Sequence, residues 1–183
     1  MITFHYVKWK NFLSAGNQWT EIELDSHKNT LIMGHNGAGK STFLDAIVFV
    51  LFGKPFRKIT KGNVVNSINN KNCEVEIEFT VSNRRYKIIR GAKPNIFEIY
   101  CDDKMVNQDA AAKDYQDYLE KHILKMNFKS FTQVVILGSA SFVPFMQLSP
   151  NDRRTVIEDL LDIQIFSAMS NVVKNKLQMN REV

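Results

Sequence analysis

The sequence predicts an α/β fold, and three patterns carry that prediction. An apolar run, a glycine-rich loop and a helical apolar pattern follow one another over residues 29–53; a strictly alternating stretch occupies Cys73–Val81; and apolar residues recur every three or four positions over residues 156–177. A chain of 183 residues, 44% hydrophobic and 23% charged, is long enough for one good core, so one domain is expected and two at most. A formal charge of +5 suits a polyanionic partner such as nucleic acid, but many unrelated proteins are mildly basic and the charge alone decides nothing.

The elements follow in order. "ITFHYVKW" and "WTEIEL" have the β-branched and aromatic content of early strands, with "LSAGNQ" as the turn between them. "NTLIMG" reads as a short buried strand running into the glycine loop. Beyond it Phe43, Leu44, Ile47, Val48 and Leu51 keep helical spacing, and Gly53 followed by Lys54 and Pro55 supplies a stop. In "CEVEIEFTV", Cys73, Val75, Ile77, Phe79 and Val81 alternate with Glu74, Glu76, Glu78 and Thr80, which predicts a half-buried strand with one wet face. Ser82 and Asn83 turn the chain into "RRYKIIR", and "IFEIYCDDKMV" reads as two short strands around Asp102 and Asp103, so an antiparallel segment is expected after the glycine-loop helix. From Asp109 to Met126 the pattern is helical, with Tyr115, Leu119, His122, Ile123 and Met126 on one side. "FTQVVILG" has strand character. "LSPNDRR" is a helix start, with Ser149 as N-cap, Pro150 in the first helical position and Asp152 three residues after the cap. The apolar spacing then continues to "NREV" without a cap or breaker, as expected for a cut inside a long helix heading toward a coiled coil, a frayed terminal helix being the alternative.

"GHNGAGKST" carries the chemistry. Gly34, Gly39, Lys40 and Ser41 match the phosphate-loop pattern G-x-x-x-x-G-K-[ST], and strand, loop and helix come in the order that pattern requires. Gly37 and Gly39 let the backbone approach phosphate oxygens without a Cβ in the way. Lys40 is placed to reach the β and γ phosphates and Ser41 to ligate magnesium, while Thr42 and the amides of Asn36 and Ala38 complete a cradle at the positive end of a helix. The predicted cofactors are thus ATP and Mg2+. Hydrolysis also needs an acid that holds magnesium and a group that positions water, typically an Asp or Glu after an apolar strand. "VVILG" is followed instead by Ser139 and Ala140, and Glu158 and Asp159 fall in a helical pattern where a solvated face is expected. No catalytic residue is assigned.

"VKWKNFLS", "GHNGAGKSTFLDAIVFVLFG", "RRYKIIRG" and "FTQVVILGSASFVPFMQLSPNDRRTVIEDLLDIQIF", in that order, together resemble the N-terminal half of SbcC-type, Rad-fifty-like DNA repair ATPases, over most of the chain. The resemblance implies a phosphate-loop NTPase of ATP-binding-cassette head type: an N-terminal lobe over residues 1–162, with an antiparallel β segment, and a helix over 163–183 leading toward the coiled coil. It also implies a C-terminal lobe that carries the signature motif and the Asp-Glu pair, an ATP-sandwiched pair of heads, a nuclease subunit near the coiled-coil base, and double-stranded DNA across the basic upper surface. Residue by residue, it assigns Asn36, Gly37, Gly39, Lys40, Ser41 and Thr42 to nucleotide and magnesium, with Ser14 near the phosphates. Where the family has a magnesium-contacting Gln-Gly, this chain has Ser139-Ala140. Ser139 is the candidate replacement, directly or through water, with Gln133 upstream and Gln147 downstream, and the second metal ligand stays open.

Lys54, Arg57, Lys58 and Lys61 cluster after the phosphate-loop helix, and Arg84, Arg85, Lys87, Arg90 and Lys93 on and after a later strand. They are candidate backbone contacts for duplex DNA, or else an ordinary solvated basic face. His35 has a backbone role in the loop; His5, His27 and His122 lack metal-ligand spacing. Cys73 and Cys101 are far apart and form no C-x-x-C, as expected of reduced thiols in a cytoplasm. The most apolar stretch, residues 46–52, is far short of the ~20 needed to cross a bilayer, and the N-terminus lacks the pattern of a cleaved signal, so a soluble cytoplasmic protein is expected. Phe142, Phe145 and Met146 are expected in a core or lobe interface. Two rival readings remain. The first is a different, self-contained phosphate-loop enzyme, a GTPase or small-molecule kinase, of which a GTPase needs N-K-x-D, which "NKLQ" at 175–178 lacks; the second, a non-catalytic DNA-binding scaffold keeping a nucleotide-shaped loop, would be indifferent to Lys40→Ala.

Overall fold

The computed structural model describes residues 2–57, 59–106, 112–136, 143–161 and 163–181. They form two compact units, Met1–Leu124 and Lys125–Val183. The first is built on a six-stranded sheet in the order β2-β1-β3-β4-β5-β6, antiparallel throughout: β1 (Ile2–Lys10), β2 (Thr20–Glu23), β3 (Cys73–Val81), β4 (Arg84–Ala92), β5 (Ile96–Cys101) and β6 (Lys104–Met105). The two tight hairpins are where the sequence puts them. Ser82-Asn83 and Asp102-Asp103 both have positive φ at each residue, the backbone shape whose twist matches paired strands.

Helix α1 (Thr42–Phe52) packs on β1, β3 and β4. It is buried almost all round, so its sequence is a nearly unbroken apolar run rather than a stripe. Val48, Phe49, Val50 and Leu51 are buried, as are Val7, Trp9, Val75, Ile77 and Ile88 of the sheet, and Phe12 lies against Phe49 with ring centroids 5.3 Å apart. The helix stops as expected: Gly53 takes φ +71 and its N–H bonds Phe49 O at 2.8 Å. Burial pushes the Cys73 thiol up to about 12, so it behaves as a small apolar side chain. Helix α2 (Ala112–Tyr118) continues as a wider π-helical turn over Leu119–Leu124; Leu119, Ile123 and Leu124 are buried, whereas His122, predicted on the same side, is exposed and pairs its ring with Tyr118.

Two expectations for this unit are corrected. Residues 29–34 form no strand: Leu31 and Met33 are each 80% exposed. A buried strand needs a neighbour to take up its backbone N–H and C=O groups, and the six-stranded sheet does not include this segment. Nor is the acidic face of β3 wet. Glu76 and Glu78 are buried, because the adjacent strands lay cations and a phenol over them: Lys8 Nζ sits 3.0 Å from Glu76, Tyr6 donates its hydroxyl to Glu76 at 2.6 Å, Lys10 pairs with Glu74 at 2.9 Å, and Arg85 pairs with Glu78. Burial and the Glu76 contact raise the Tyr6 pKa, which keeps the phenol a donor.

The second unit holds α3 (Phe128–Val134), α4 (Pro150–Leu160) and α5 (Gln164–Arg181). The predicted strand "FTQVVILG" is instead mostly α3, with residues 137 and 138 outside the described residues. Asn127 decides the matter by capping the helix, its Oδ1 accepting from Ser130 N at 3.0 Å. Asp159 is not on a solvated face but buried, accepting from Asn127 Nδ2 at 2.7 Å and from the Ser130 hydroxyl. The start of α4 is as read, with Ser149 Oγ accepting from Asp152 N and Pro150 in the first turn. On α5, Ile165, Phe166, Met169, Val172, Val173 and Leu177 are exposed. Met146 is also exposed, and Phe142 lies outside the described residues. Among the described residues no helix is long and apolar enough to cross a membrane.

Candidate nucleotide-binding site

The glycine loop sits where α1 begins. Gly37 has φ +86 and Gly39 φ +89, conformations that an L side chain resists and that turn successive amides into one concavity. The loop is closed internally by Ala38 N on His35 O at 3.1 Å and Thr42 N on Gly39 O at 2.8 Å. The Ala38 and Thr42 amides thus point into the loop's own turns. Lys40 folds over the loop, its ammonium donating to Gly34 O at 2.6 Å and His35 O at 2.8 Å. Ser41 occupies the N-cap position without a side-chain cap hydrogen bond, so its hydroxyl is not committed to the helix.

A cavity of about 470 Å³ opens over this loop, lined by Asn36, Gly37, Gly39, Lys40, Ser41 and Thr42, with Leu13, Ser14, Arg57 and Ile59 as its further walls. The size is that of an ordinary small-molecule site, ~300–1,000 Å³. Seven of the eight residues predicted for nucleotide therefore line one space, Ser14 among them. An amide concavity, a primary ammonium and a free hydroxyl at a helix N-terminus form the donor set of a magnesium-bound polyphosphate, and the residues present fit that group. Among the described residues no cluster of His, Cys, Asp or Glu could hold a metal without it.

Arg57 was grouped with DNA contacts in the sequence, but it belongs to this cavity. Asp45, fully buried one turn after Ser41, accepts from Arg57 N at 3.0 Å, from Nε at 2.6 Å and from a terminal guanidinium nitrogen at 2.6 Å. Oδ2 thus takes both guanidinium nitrogens while Oδ1 takes the backbone N–H, so one carboxylate holds the side chain and the main chain of Arg57 together. Pattern reading had no reason to pair residues 45 and 57, since the pairing depends on how the chain leaves α1.

Arg90 departs further from the solvated basic face, because its guanidinium is engaged within the chain. Its side chain is half-buried, donating from Nε to Val50 O at 2.9 Å and from a terminal nitrogen to Gln116 Oε1 at 2.7 Å, with the guanidinium 3.7 Å from the Phe97 ring centre. Burial pulls its pKa down to about 9. It serves as a side-chain cap for the C-terminal end of α1, and Gln116 joins in by donating to Leu51 O at 3.0 Å. Arg84 and Lys54 are exposed, and Arg85 is exposed but paired with Glu78. Lys58 and Ser139 lie outside the described residues, as does the side chain of Lys61. Gln133 is on α3 with its Oε1 buried and without a hydrogen-bond partner.

Comparison with known proteins agrees with this geometry. A family model described as "AAA domain" matches residues 6–182. Exonuclease subunit 2 of Enterobacteria phage T4 is 45% identical over 168 residues, which are 92% of this chain and 30% of that protein. The DNA double-strand break repair Rad50 ATPase of Thermoplasma acidophilum is 31% identical over 170 residues, 90% of this chain and 18% of that protein. The chain thus spans less than a third of the length of either relative. Among solved structures, the Smc head domain of Pyrococcus furiosus, determined with an extended coiled coil and bound to the C-terminal domain of ScpA, superposes with a TM-score of 0.63 at 21% identity, over 100% of this chain and 47% of that one; at this identity it speaks for the fold alone. The glycine loop at the head of α1, the antiparallel sheet on which α1 lies and the match over 6–182 lead to one conclusion: the chain belongs to the AAA domain family and has the fold of an N-terminal lobe of an SMC-type ATPase head.

Proposed function

We propose that the chain is the ATP-binding lobe of a DNA repair and recombination ATPase that clamps DNA ends and controls a nuclease partner. The observation that carries this is the convergence of Asn36, Gly37, Gly39, Lys40, Ser41 and Thr42 on one cavity with Ser14 and Arg57 opposite. In this reading Lys40 leaves its two loop carbonyls for the β and γ phosphates, the loop amides take the phosphate oxygens, and Ser41 ligates magnesium, which neutralises charge on the phosphates. Arg57, held by Asp45, is a second fixed cation at the phosphates. Ser139 remains the proposed second metal ligand.

Binding is the share of the task these residues can perform. Positioning of the attacking water needs an acid, and none is among the described residues that line the cavity, so turnover is proposed to depend on a C-terminal lobe and on a second head facing the loop. The basic groups left for duplex DNA are Lys54, Lys58, Lys61, Arg84 and Arg85, acting on the backbone without reading sequence. The setting proposed is the cytoplasm, that of a host cell if the chain is phage-encoded.

The test is magnesium-dependent ATP turnover by the chain with and without the complementary lobe, with Lys40→Ala as control. Turnover only in the combined sample, lost in Lys40→Ala, is the expected result. Full turnover by the chain alone would mean a self-contained enzyme. Lobe-dependent DNA binding that Lys40→Ala leaves intact would mean a scaffold.

A further inference from the structure

We infer that Asn66 is a positioning residue for the nucleotide site, holding the 11–16 loop in the shape that presents Ser14 to the phosphates. The inference rests on the nucleotide-binding reading above and adds to it a group from outside the cavity wall.

The loop needs such a device. Leaving β1, the chain puts Asn11 at φ +50 and Leu13 at φ +52. Left-handed backbone is tolerable for asparagine but unfavourable for leucine, and persists only where the surroundings over-determine it. Asn66 supplies that constraint. It is buried, and its Nδ2 donates to Leu13 O and to Ala15 O, each at 3.1 Å, so that one amide grips the carbonyls on both sides of Ser14. Its Oδ1 accepts from Ile68 N and Asn69 N, each at 3.0 Å, and its backbone N–H donates to Asn11 O at 2.8 Å. Both donors and both acceptor sites of the side chain are therefore occupied, which permits a single orientation.

The neighbouring groups extend the latch. Leu13 N donates to Val64 O at 2.7 Å, and Phe12 pairs with Val65 as an isolated antiparallel bridge. Asn11, also buried, accepts from Asn69 Nδ2 at 2.7 Å and donates to Asn17 Oδ1 and Asn72 O. With its two neighbours held, the Ser14 side chain is left exposed on the cavity wall. The segment that grips this wall at residues 64–66 follows Arg57 and Ile59, which line the same cavity, Arg57 being pinned by Asp45 and its carbonyl accepting from Ile59 N at 2.7 Å. A site held at two places by one short segment is preorganised for a ligand, and a misplacement of about 1 Å is enough to weaken it.

The experiment is a fluorescence titration of the full 183-residue chain with magnesium and N-methylanthraniloyl-ATP. Asn66→Asp keeps the volume and the acceptors for Ile68 and Asn69 but sets an oxygen against the Leu13 and Ala15 carbonyls. Its dissociation constant should rise ~10-fold, the scale of one or two hydrogen bonds. Because Asn66 acts through Ser14, adding Asn66→Asp to Ser14→Ala should weaken binding by less than ~2-fold further. Amide hydrogen exchange should quicken at residues 11–16 and stay unchanged in β3 and β4. Should Asn66→Asp fail to fold by circular dichroism, Asn69→Ala removes one bond of the latch and should show a smaller loss with the same non-additivity. Wild-type affinity in the folded variant, or a loss that simply adds to that of Ser14→Ala, would overturn the proposal and leave the nucleotide reading standing. A wild-type chain that does not bind the probe would overturn both.

Discussion

Arg90 gives a decisive separation between stability and DNA binding. In the folded chain its two hydrogen bonds to Val50 O and Gln116 Oε1 are charge-assisted, each worth roughly 1.5–3 kcal/mol, and the contact with Phe97 adds about 1–2. Against this stands the desolvation of the charge, which lowers the Arg90 pKa and for a partly buried ion costs several kcal/mol. The two sides nearly cancel, so Arg90→Met, which keeps the apolar stem and removes the charge, should change stability by less than ~2 kcal/mol. Arg90→Ala also deletes packed methylenes and should cost about 2–4 kcal/mol. Urea denaturation followed by circular dichroism measures both effects, and fluorescence anisotropy with duplex DNA across a salt series measures binding. Neither variant should alter the salt slope. A Met variant more than ~4 kcal/mol less stable would refute the near-cancellation, and a slope reduced by about one unit would refute the assignment of Arg90 to the α1 cap in place of DNA.

Three further outcomes are expected. Lys40→Ala should weaken nucleotide binding at least ~100-fold in the same titration that tests Asn66, because it removes the one ammonium over the loop. Gly53→Ala should lower stability by about 1–2 kcal/mol in urea, since alanine disfavours φ +71 and its Cβ would lie 2.9 Å from an Arg90 guanidinium nitrogen. The helices of the second unit should lose stability in acid: the Lys129 contact holds Asp152 below its ordinary 3.8, and the Ser167 and Arg154 contacts hold Glu158 below 4.5. Carboxylates of lowered pKa stabilise above their ordinary values and lose that contribution as pH falls through the lowered ones, so thermal midpoints should drop below about pH 4.5, with a smaller drop in Glu158→Gln.

Local rules made the hairpins legible. Strict alternation in β3, and turn residues at Ser82-Asn83 and Asp102-Asp103 that accept positive φ, give register without reference to any other part of the chain. The Ser149 cap and the Gly53 stop were readable for the same reason. What sequence order conceals is the identity of partners. Residues 29–34 have the composition of a buried strand, but composition cannot report whether a neighbouring strand is present. In 128–134 the apolar content fits a strand as well as a helix, and the choice falls to Asn127, whose cap bond and contact with Asp159 are tertiary facts. The basic run after α1 looked uniform, yet Arg57 faces a buried carboxylate, and on β4 Arg84 is exposed while Arg90 is half-buried against the end of α1.

The placement of those two arginines ties the ends of α1 to different parts of the unit. At its N-terminal end the helix carries the phosphate loop, and one turn later Asp45 fixes Arg57 beside the cavity. At its C-terminal end Val50 O and Leu51 O are held by Arg90 from β4 and by Gln116 from α2, and Gln116 in turn donates to Glu120 at 2.7 Å, inside the π-helical turn. A helix buried on every side moves as a rigid rod, and π-helical turns are rare enough that their position carries information. Any shift of α1 upon phosphate binding must therefore either break the Arg90 and Gln116 bonds or carry α2 with it. The first course leaves a guanidinium and two carbonyls unsatisfied in the core, while the second asks only that a turn already widened adjust its register. Nucleotide-dependent change in this unit should therefore be concentrated at residues 116–124, away from the sheet.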